Sequence, residues 1–283
     1  MTDLVLQSPD SVLPIVEQCL ALTRAQSRQD VSAQCVRLHD VLDTPATRQK
    51  VATLADAHRV DWAFVPSGQR LSDYRAIVMD MDSTLINIEC IDEIAGMAGL
   101  KEQVSAITEA AMRGEIKDFS ESLIRRVALL KGLEVNALDR VLQERLQLNP
   151  GAEKLIQTAH QHGLKTLLVS GGFTFFTGRM QQRLGLTAAH ANELEVVDGK
   201  LTGKVLGDIL DGEAKARHLL AFVEEIGATP QQAIAIGDGA NDLKMMALAG
   251  ISVAYHAKPI VREATTYSIN VGGLDTILGW FNP

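Results

Sequence analysis

Three short apolar runs in this chain stop abruptly at a small or acidic residue. Ala76-Ile77-Val78-Met79 ends at Asp80, Thr166-Leu167-Leu168-Val169 at Ser170, and Ala233-Ile234-Ala235-Ile236 at Gly237-Asp238. Runs apolar on both faces suit strands buried inside a parallel sheet, whereas a half-solvated strand would alternate. Ile251-Ser252-Val253-Ala254 reads as a fourth strand. Between them, helices are predicted from about Ala152 to His162, stopped by Gly163, and from about Glu213 to Ile226, before Gly227. Glu195 to Leu206 reads as a hairpin turning at Asp198-Gly199. Strands alternating with helices define an α/β fold with a doubly wound parallel sheet over residues 71–283. The helix-rich stretch at about 87–147 follows the first strand and is expected to be an inserted helical cap. In open α/β sheets ligands sit beyond the carboxyl ends of the strands, so Asp80, Ser170 and Asp238 are expected to meet in one crevice.

Residues 1–70 read as a separate, small N-terminal α/β module. It has a strand at Leu4-Val5-Leu6, apolar residues at helical spacing from Val12 to Leu22, and a strand from Val31 to Leu38. Thr44-Pro45 opens a helix running to about His58, Thr as N-cap and Pro in the first turn. A strand at Trp62 to Val65 and a linker at Pro66-Ser67-Gly68 complete it. The stretch holds no catalytic cluster, and docking, regulation and simple support are all open to it.

The formal net charge of -8 disfavours non-specific attraction to nucleic acid or to an anionic membrane surface. Cys19, Cys35 and Cys90 have no metal-ligand spacing and read as reduced thiols. The N-terminus has no signal-peptide pattern, and no apolar run approaches the ~20 residues that span a bilayer. The expectation is a cytoplasmic protein without membrane or nucleic-acid partners.

The strand ends carry the chemistry. Asp80-Met81-Asp82 places two carboxylates where they repel, which a divalent cation resolves, although an Asp-rich turn explains the pair equally well in isolation. Ser170-Gly171-Gly172 offers a hydroxyl and exposed amide N–H groups to an anion, or is simply a loop. Gly237-Asp238-Gly239-Ala240-Asn241-Asp242 opens a helix, and an N-cap role accounts for only one of its two acids. Lys215, near a helix start, is the candidate charge for neutralising a phosphate, with solvated surface as the ordinary alternative.

Together and in this order, these segments resemble the four motifs of the haloacid dehalogenase-like hydrolases over about residues 75–275. Asp80-Met81-Asp82-Ser83-Thr84, with Glu89 and Ile91-Asp92-Glu93 after it, is similar to the phosphoserine phosphatase branch, where many other relatives carry Gly-Thr in place of Ser83-Thr84. The resemblance implies a magnesium-dependent phosphatase releasing serine from O-phospho-L-serine through an aspartyl phosphate, the last step of phosphorylated serine biosynthesis. It implies Asp80 as nucleophile and Asp82 as general acid and base. It implies Mg2+ held by the Asp80 side chain, the Asp82 backbone carbonyl and the Asp238 side chain. Ser170, the Gly171 amide and Lys215 would grip the phosphate, Asn241 would contact substrate, and Asp242 would orient Lys215 or a metal-bound water. Glu89 would meet the substrate ammonium. Arg126, in Ser122-Leu123-Ile124-Arg125-Arg126-Val127, would meet the carboxylate, with Arg125 pointing elsewhere. Met112 and Phe119 either wall the pocket or pack in a core. The resemblance leaves room for a homodimer.

Two other readings of these motifs stay in view. One is a phosphatase or phosphotransferase for another small phosphate ester. The other is a non-catalytic binding protein on the same scaffold. A cation-pumping ATPase fits poorly, because Asp82 is present and membrane spans are not.

Overall fold

The computed structural model describes residues 1–113, 115–116 and 118–282; the Met112 side chain lies outside what is described. Among the described residues the backbone forms a four-stranded and a seven-stranded sheet.

The first sheet is built from β1 (Thr2–Gln7), β2 (Ser27–Ser32), β3 (Cys35–His39) and β4 (Asp61–Pro66), in the order β2-β3-β1-β4 with antiparallel neighbours. Helices Leu13–Thr23 and Pro45–Ala57 pack on it around Leu4, Leu6, Ile15, Val16, Leu38, Val51 and Phe64. Thr44 caps the second helix as expected, accepting the Thr47 N–H, a bond worth about 1 kcal/mol. The single strand expected over Val31 to Leu38 is instead a hairpin that turns at Ala33-Gln34. Every residue of β2 is exposed, so that strand carries no alternation, and Ala-Gln is not a turn signature.

The second sheet holds β5 (Ala76–Met79), β6 (Lys165–Phe173), β7 (Ala188–Val197), β8 (Lys200–Leu206), β9 (Ala233–Gly237), β10 (Ile251–Tyr255) and β11 (Tyr267–Ile269), ordered β11-β10-β9-β5-β6-β7-β8. All neighbours are parallel except β7 and β8, the predicted hairpin. Its turn has left-handed backbone at Asp198 and Gly199 (φ 50 and 75), as the Asp-Gly pair requires. All four residues of β5 are buried, as are all five of β9. Helices cover both faces, giving two apolar layers. Strand β11 and helix Thr174–Leu184 were not anticipated; β11 is only three residues long.

Between Asn87 and Gln147 the described residues form the helices Cys90–Met97, Lys101–Met112, Phe119–Ala128 and Asn136–Glu144, an insertion between β5 and the helix Ala152–Gln161 that precedes β6. The chain enters and leaves this insertion side by side, with Ile86 bridged to Leu148 and Asn87 N–H donating to the Gln147 carbonyl. No helix among the described residues is long and apolar enough to cross a membrane. Cys19, Cys35 and Cys90 are all free thiols, with Cys19 and Cys90 buried.

Candidate active site

β5 and β9 are adjacent and parallel, so the residues that follow them are brought side by side. Asp80 and Asp238 therefore meet, and Asp242 joins them from the turn at Ala240–Asp242: one carboxylate oxygen from each lies within 4.8 Å of the others. Gly237 has to be glycine here, since a Cβ would come within 2.5 Å of the Asp242 carboxyl carbon.

Lys215 stands in the first turn of helix Gly212–Glu225, whose start is capped by the Asp211 carboxylate accepting the Ala214 N–H. The side chain of Lys215 is buried, and its Nζ lies 2.8 Å from Asp80 Oδ1 and 2.7 Å from Asp242 Oδ1. Burial alone would discharge the ammonium, but the two carboxylates raise its pKa and keep it charged. Asp242, expected to orient Lys215 or a metal-bound water, thus lies in direct contact with the Lys215 ammonium. Asp242 Oδ2 also accepts the Gly239 N–H at 3.0 Å.

One ammonium does not balance the remaining acids. Burial, and then the charge of Asp242, push Asp238 up to about 7. Burial and the same neighbour hold Asp80 well above the usual carboxylate range, with Lys215 pulling the other way. Oxygen-only donors that repel one another at close quarters fit a hard divalent cation. The carboxylate trio is Asp80, Asp238 and Asp242; the contribution expected from Asp82 is its backbone carbonyl. Asp238 is held in place by Thr84, whose Oγ1 donates to Asp238 Oδ1 at 2.9 Å.

Asp82 lies in a turn over Met81–Leu85 whose backbone is non-helical at Asp82 and at Ser83, where φ is 58. Its Oδ2 accepts the Cys90 backbone N–H at 3.3 Å, while its buried Oδ1 has no protein partner. Burial, and then the charge of Glu89, push it up to about 7. A carboxyl group that titrates near neutrality suits proton transfer. Gly172 backs it closely, for a Cβ there would lie 3.0 Å from Asp82 Oδ2.

The residues expected at the end of the second strand lie within β6, a difference from the sequence reading. Pairing with β7 breaks after Val169 and resumes at Phe173, so Ser170, Gly171 and Gly172 sit in a bulge. Glycine in a strand interior commonly marks such a break. The Gly171 carbonyl accepts from Asn192 Nδ2 at 2.8 Å, and Asn192 Oδ1 accepts the Leu210 N–H at 2.8 Å. Asn192 was not singled out from the sequence; a buried Asn within a strand is an unfavourable choice that signals such a tether.

A cavity of about 150 Å3 joins these groups. Asp80, Asp82, Asp238, Ser170, Gly171 and Asn241 line it, and so do Glu89 and Arg126 from the insertion. This is small beside the ~300–1,000 Å3 of drug-sized ligand pockets and suits a compact ligand. Glu89 Oε1 accepts from Ser83 Oγ at 2.7 Å. Burial raises the Glu89 pKa, with the Ser83 hydroxyl opposing it. Arg126, largely enclosed, donates through Nε to the Ser122 carbonyl at 3.3 Å. Among the described residues no ion pair joins Glu89 to Arg126. Arg125, by contrast, is exposed and pairs with Glu121 along its own helix. Phe119 lines the cavity, and its ring would strike a Cβ on Gly171 at 2.8 Å; the proposed contribution of Met112 lies outside the described residues.

The family model of the haloacid dehalogenase-like hydrolases matches residues 74–250, more than half of the chain. A phosphoserine phosphatase of Polaromonas sp. is 59% identical over 213 residues, covering 74% of this chain and 90% of that protein. Among solved structures, a HAD family hydrolase of Salmonella enterica serovar Typhi superposes with a TM-score of 0.90 at 29% identity, covering 99% of this chain and 98% of the other. A probable phosphoserine phosphatase of Vibrio cholerae, in unliganded form, does so at 0.83 and 37% identity, covering 99% and 85%.

Proposed function

This chain belongs to the haloacid dehalogenase-like hydrolases, and we propose that it hydrolyses O-phospho-L-serine to serine and inorganic phosphate. The observation that carries this reading is that one cavity is lined by Asp80, Asp82 and Asp238 together with Glu89 and Arg126, with the buried Lys215 2.8 Å from Asp80. A phosphorylated amino acid needs both sets of groups, since its ammonium and carboxylate want an anion and a guanidinium besides the phosphate site.

In the first half-reaction a carboxylate oxygen of Asp80 attacks phosphorus in line and a new P–O bond forms. The ester bond to the serine oxygen breaks as Asp82, protonated near neutrality, gives its proton to that oxygen. Asp80 Oδ1 already accepts from the Met81 N–H at 2.7 Å and contacts Lys215, so these two donors fix the carboxylate in orientation. In the second half, Asp82 takes a proton from water, the water oxygen attacks phosphorus, and the bond to Asp80 breaks. Ser170, the Gly171 N–H and Lys215 bind the phosphate oxygens, and Asn241 contacts substrate from the facing turn. Mg2+, held by Asp80, Asp238 and the Asp82 carbonyl, would offset the repulsion between these acids and an incoming phosphate dianion. The same reading divides the chain into a module at 1–70 and a phosphatase unit at 71–283 with a cap at about 87–147.

Phosphate release from phosphoserine, phosphoglycolate and sugar phosphates, with Mg2+ and with chelator, tests this. Metal-dependent release with phosphoserine preferred is the expected result. Equal turnover of all esters would move the reading to a general small-ester phosphatase, and no release from any would remove the enzymatic reading.

A further inference from the structure

Asn149 lies where the chain leaves the helical insertion, outside the cavity. Its Nδ2 donates to the carbonyls of Ser83 at 3.3 Å, Thr84 at 2.8 Å and Ile86 at 3.0 Å. Its backbone N–H donates to the Leu85 carbonyl at 2.9 Å. One residue therefore holds four consecutive carbonyls of the loop that follows Asp82. The orientation of the amide is dictated by its surroundings, since the opposite one would face its oxygen at three carbonyl oxygens.

This loop needs holding. Ser83 adopts left-handed backbone at φ 58, a conformation unfavourable for a residue with a Cβ. Asn149 itself has little slack. The Pro150 carbonyl accepts the Leu274 N–H at 2.8 Å. A Cβ on Gly151 would lie 2.1 Å from Asp275 Oδ1, and one on Gly273 would lie 2.5 Å from the Pro150 carbonyl oxygen. The segment at 273–275 thus presses on the residues beside Asn149.

Of the three loop residues whose carbonyls the amide grips, two carry different arms. Ser83 Oγ donates to Glu89, and Thr84 Oγ1 donates to Asp238. We propose that Asn149 is a positioning residue that sets both arms at once, so that one side chain outside the pocket governs discrimination for an amino-acid ester and affinity for the divalent cation. The inference rests on the roles given above to Glu89 and Asp238.

The test compares wild type with Asn149→Ala, Ser83→Ala and Thr84→Val in the full chain. Two quantities are read: the ratio of kcat/KM for phosphoserine to that for p-nitrophenyl phosphate, and the Mg2+ concentration giving half of the metal-induced rise in Tm. Asn149→Ala is expected to lower the ratio about tenfold and raise the Mg2+ requirement about tenfold, as losing an outer-shell partner does at other sites. Ser83→Ala should move mainly the ratio and Thr84→Val mainly the Mg2+ requirement. In the Ser83→Ala background, Asn149→Ala should change the ratio by no more than about twofold, because the arm it acts through is gone. A lower Tm with both quantities within about twofold of wild type overturns the proposal and leaves Asn149 a structural clamp. If Asn149→Ala does not fold, Asn149→Ser, which keeps a short donor, is read by the same criteria. If wild type does not prefer phosphoserine, the substrate reading fails by itself; the Mg2+ arm then decides for Asn149, and an unchanged requirement overturns it.

Discussion

The hydroxyl of Thr84 donates a 2.9 Å hydrogen bond to the Asp238 carboxylate across 154 residues of sequence. It joins the loop after β5 to the turn after β9, so the carboxylate is pinned by the same loop that carries Asp80 and Asp82. The Met81 N–H and Lys215 orient the first of those acids, and the Cys90 N–H the second.

Asp80→Asn replaces the attacking oxygen with an amide of the same shape. Turnover of every phosphate ester should fall by on the order of 10^4 or more. The protein should still fold, since Lys215 keeps Asp242 at 2.7 Å. Steady-state assay together with a circular dichroism melt checks both halves, and retained turnover would remove Asp80 as nucleophile.

Arg126→Ala removes the guanidinium that lines the cavity. Each charged hydrogen bond lost should cost about 1.5–3 kcal/mol, which is roughly 10- to 150-fold in kcat/KM for phosphoserine. Hydrolysis of p-nitrophenyl phosphate, which has no carboxylate to meet, should change little. Equal losses on both substrates would contradict a recognition role.

Asp82→Asn should separate substrates by leaving group. A serine alkoxide needs the proton of Asp82, whereas p-nitrophenolate does not, so attack on the aryl ester should survive better. Since Asp82 titrates at about 7, kcat/KM for phosphoserine should decline as pH rises through that value and the acid form is lost. The aryl ester should show a shallower limb over the same range. Superimposable pH profiles for the two substrates would argue against Asp82 as the acid.

The acidic cluster also links pH to stability. Asp82 and Asp238 are both raised from 3.8 to about 7 in the folded chain. A raised folded pKa means that the folded state binds protons more tightly than the unfolded one. The associated stability is therefore complete below the unfolded value and is lost as pH rises through about 7. In chelator, Tm should fall as pH rises from the unfolded value of 3.8 to about 7 and level off above it, and Mg2+ should restore more of it at the upper end, where the carboxylates are ionised and the cation does not compete with protons. Differential scanning calorimetry on both sides of neutrality measures this; a metal-induced rise that is larger at the acidic end would oppose the cluster as the cation site.

Much of the phosphatase half was legible because its strands are short, apolar on both faces and abruptly ended. β5, β9 and β10 lie where their runs of Ile, Val and Ala predict. Less was legible where burial is one-sided or absent, as in the wholly exposed β2, or where a strand is too short to show a period, as in β11. The bulge at Ser170–Gly172 was visible as glycine but not as a break inside a continuing strand, because whether pairing resumes depends on β7.

The sequence by itself determined which residue types stand at the strand ends, and so the pairing of acids, hydroxyl and lysine that phosphate chemistry needs. That follows from local rules: apolar runs bury, and polar residues surface where those runs end. Only the tertiary structure decided the supporting contacts. Asn149 beneath Ser83 and Thr84, Asn192 behind Gly171, and Thr84 against Asp238 are pairings between segments 21 to 154 residues apart. No local periodicity encodes such contacts. They arise because neighbouring strands place their ends together, and because a buried polar group left without a partner costs about 1–3 kcal/mol.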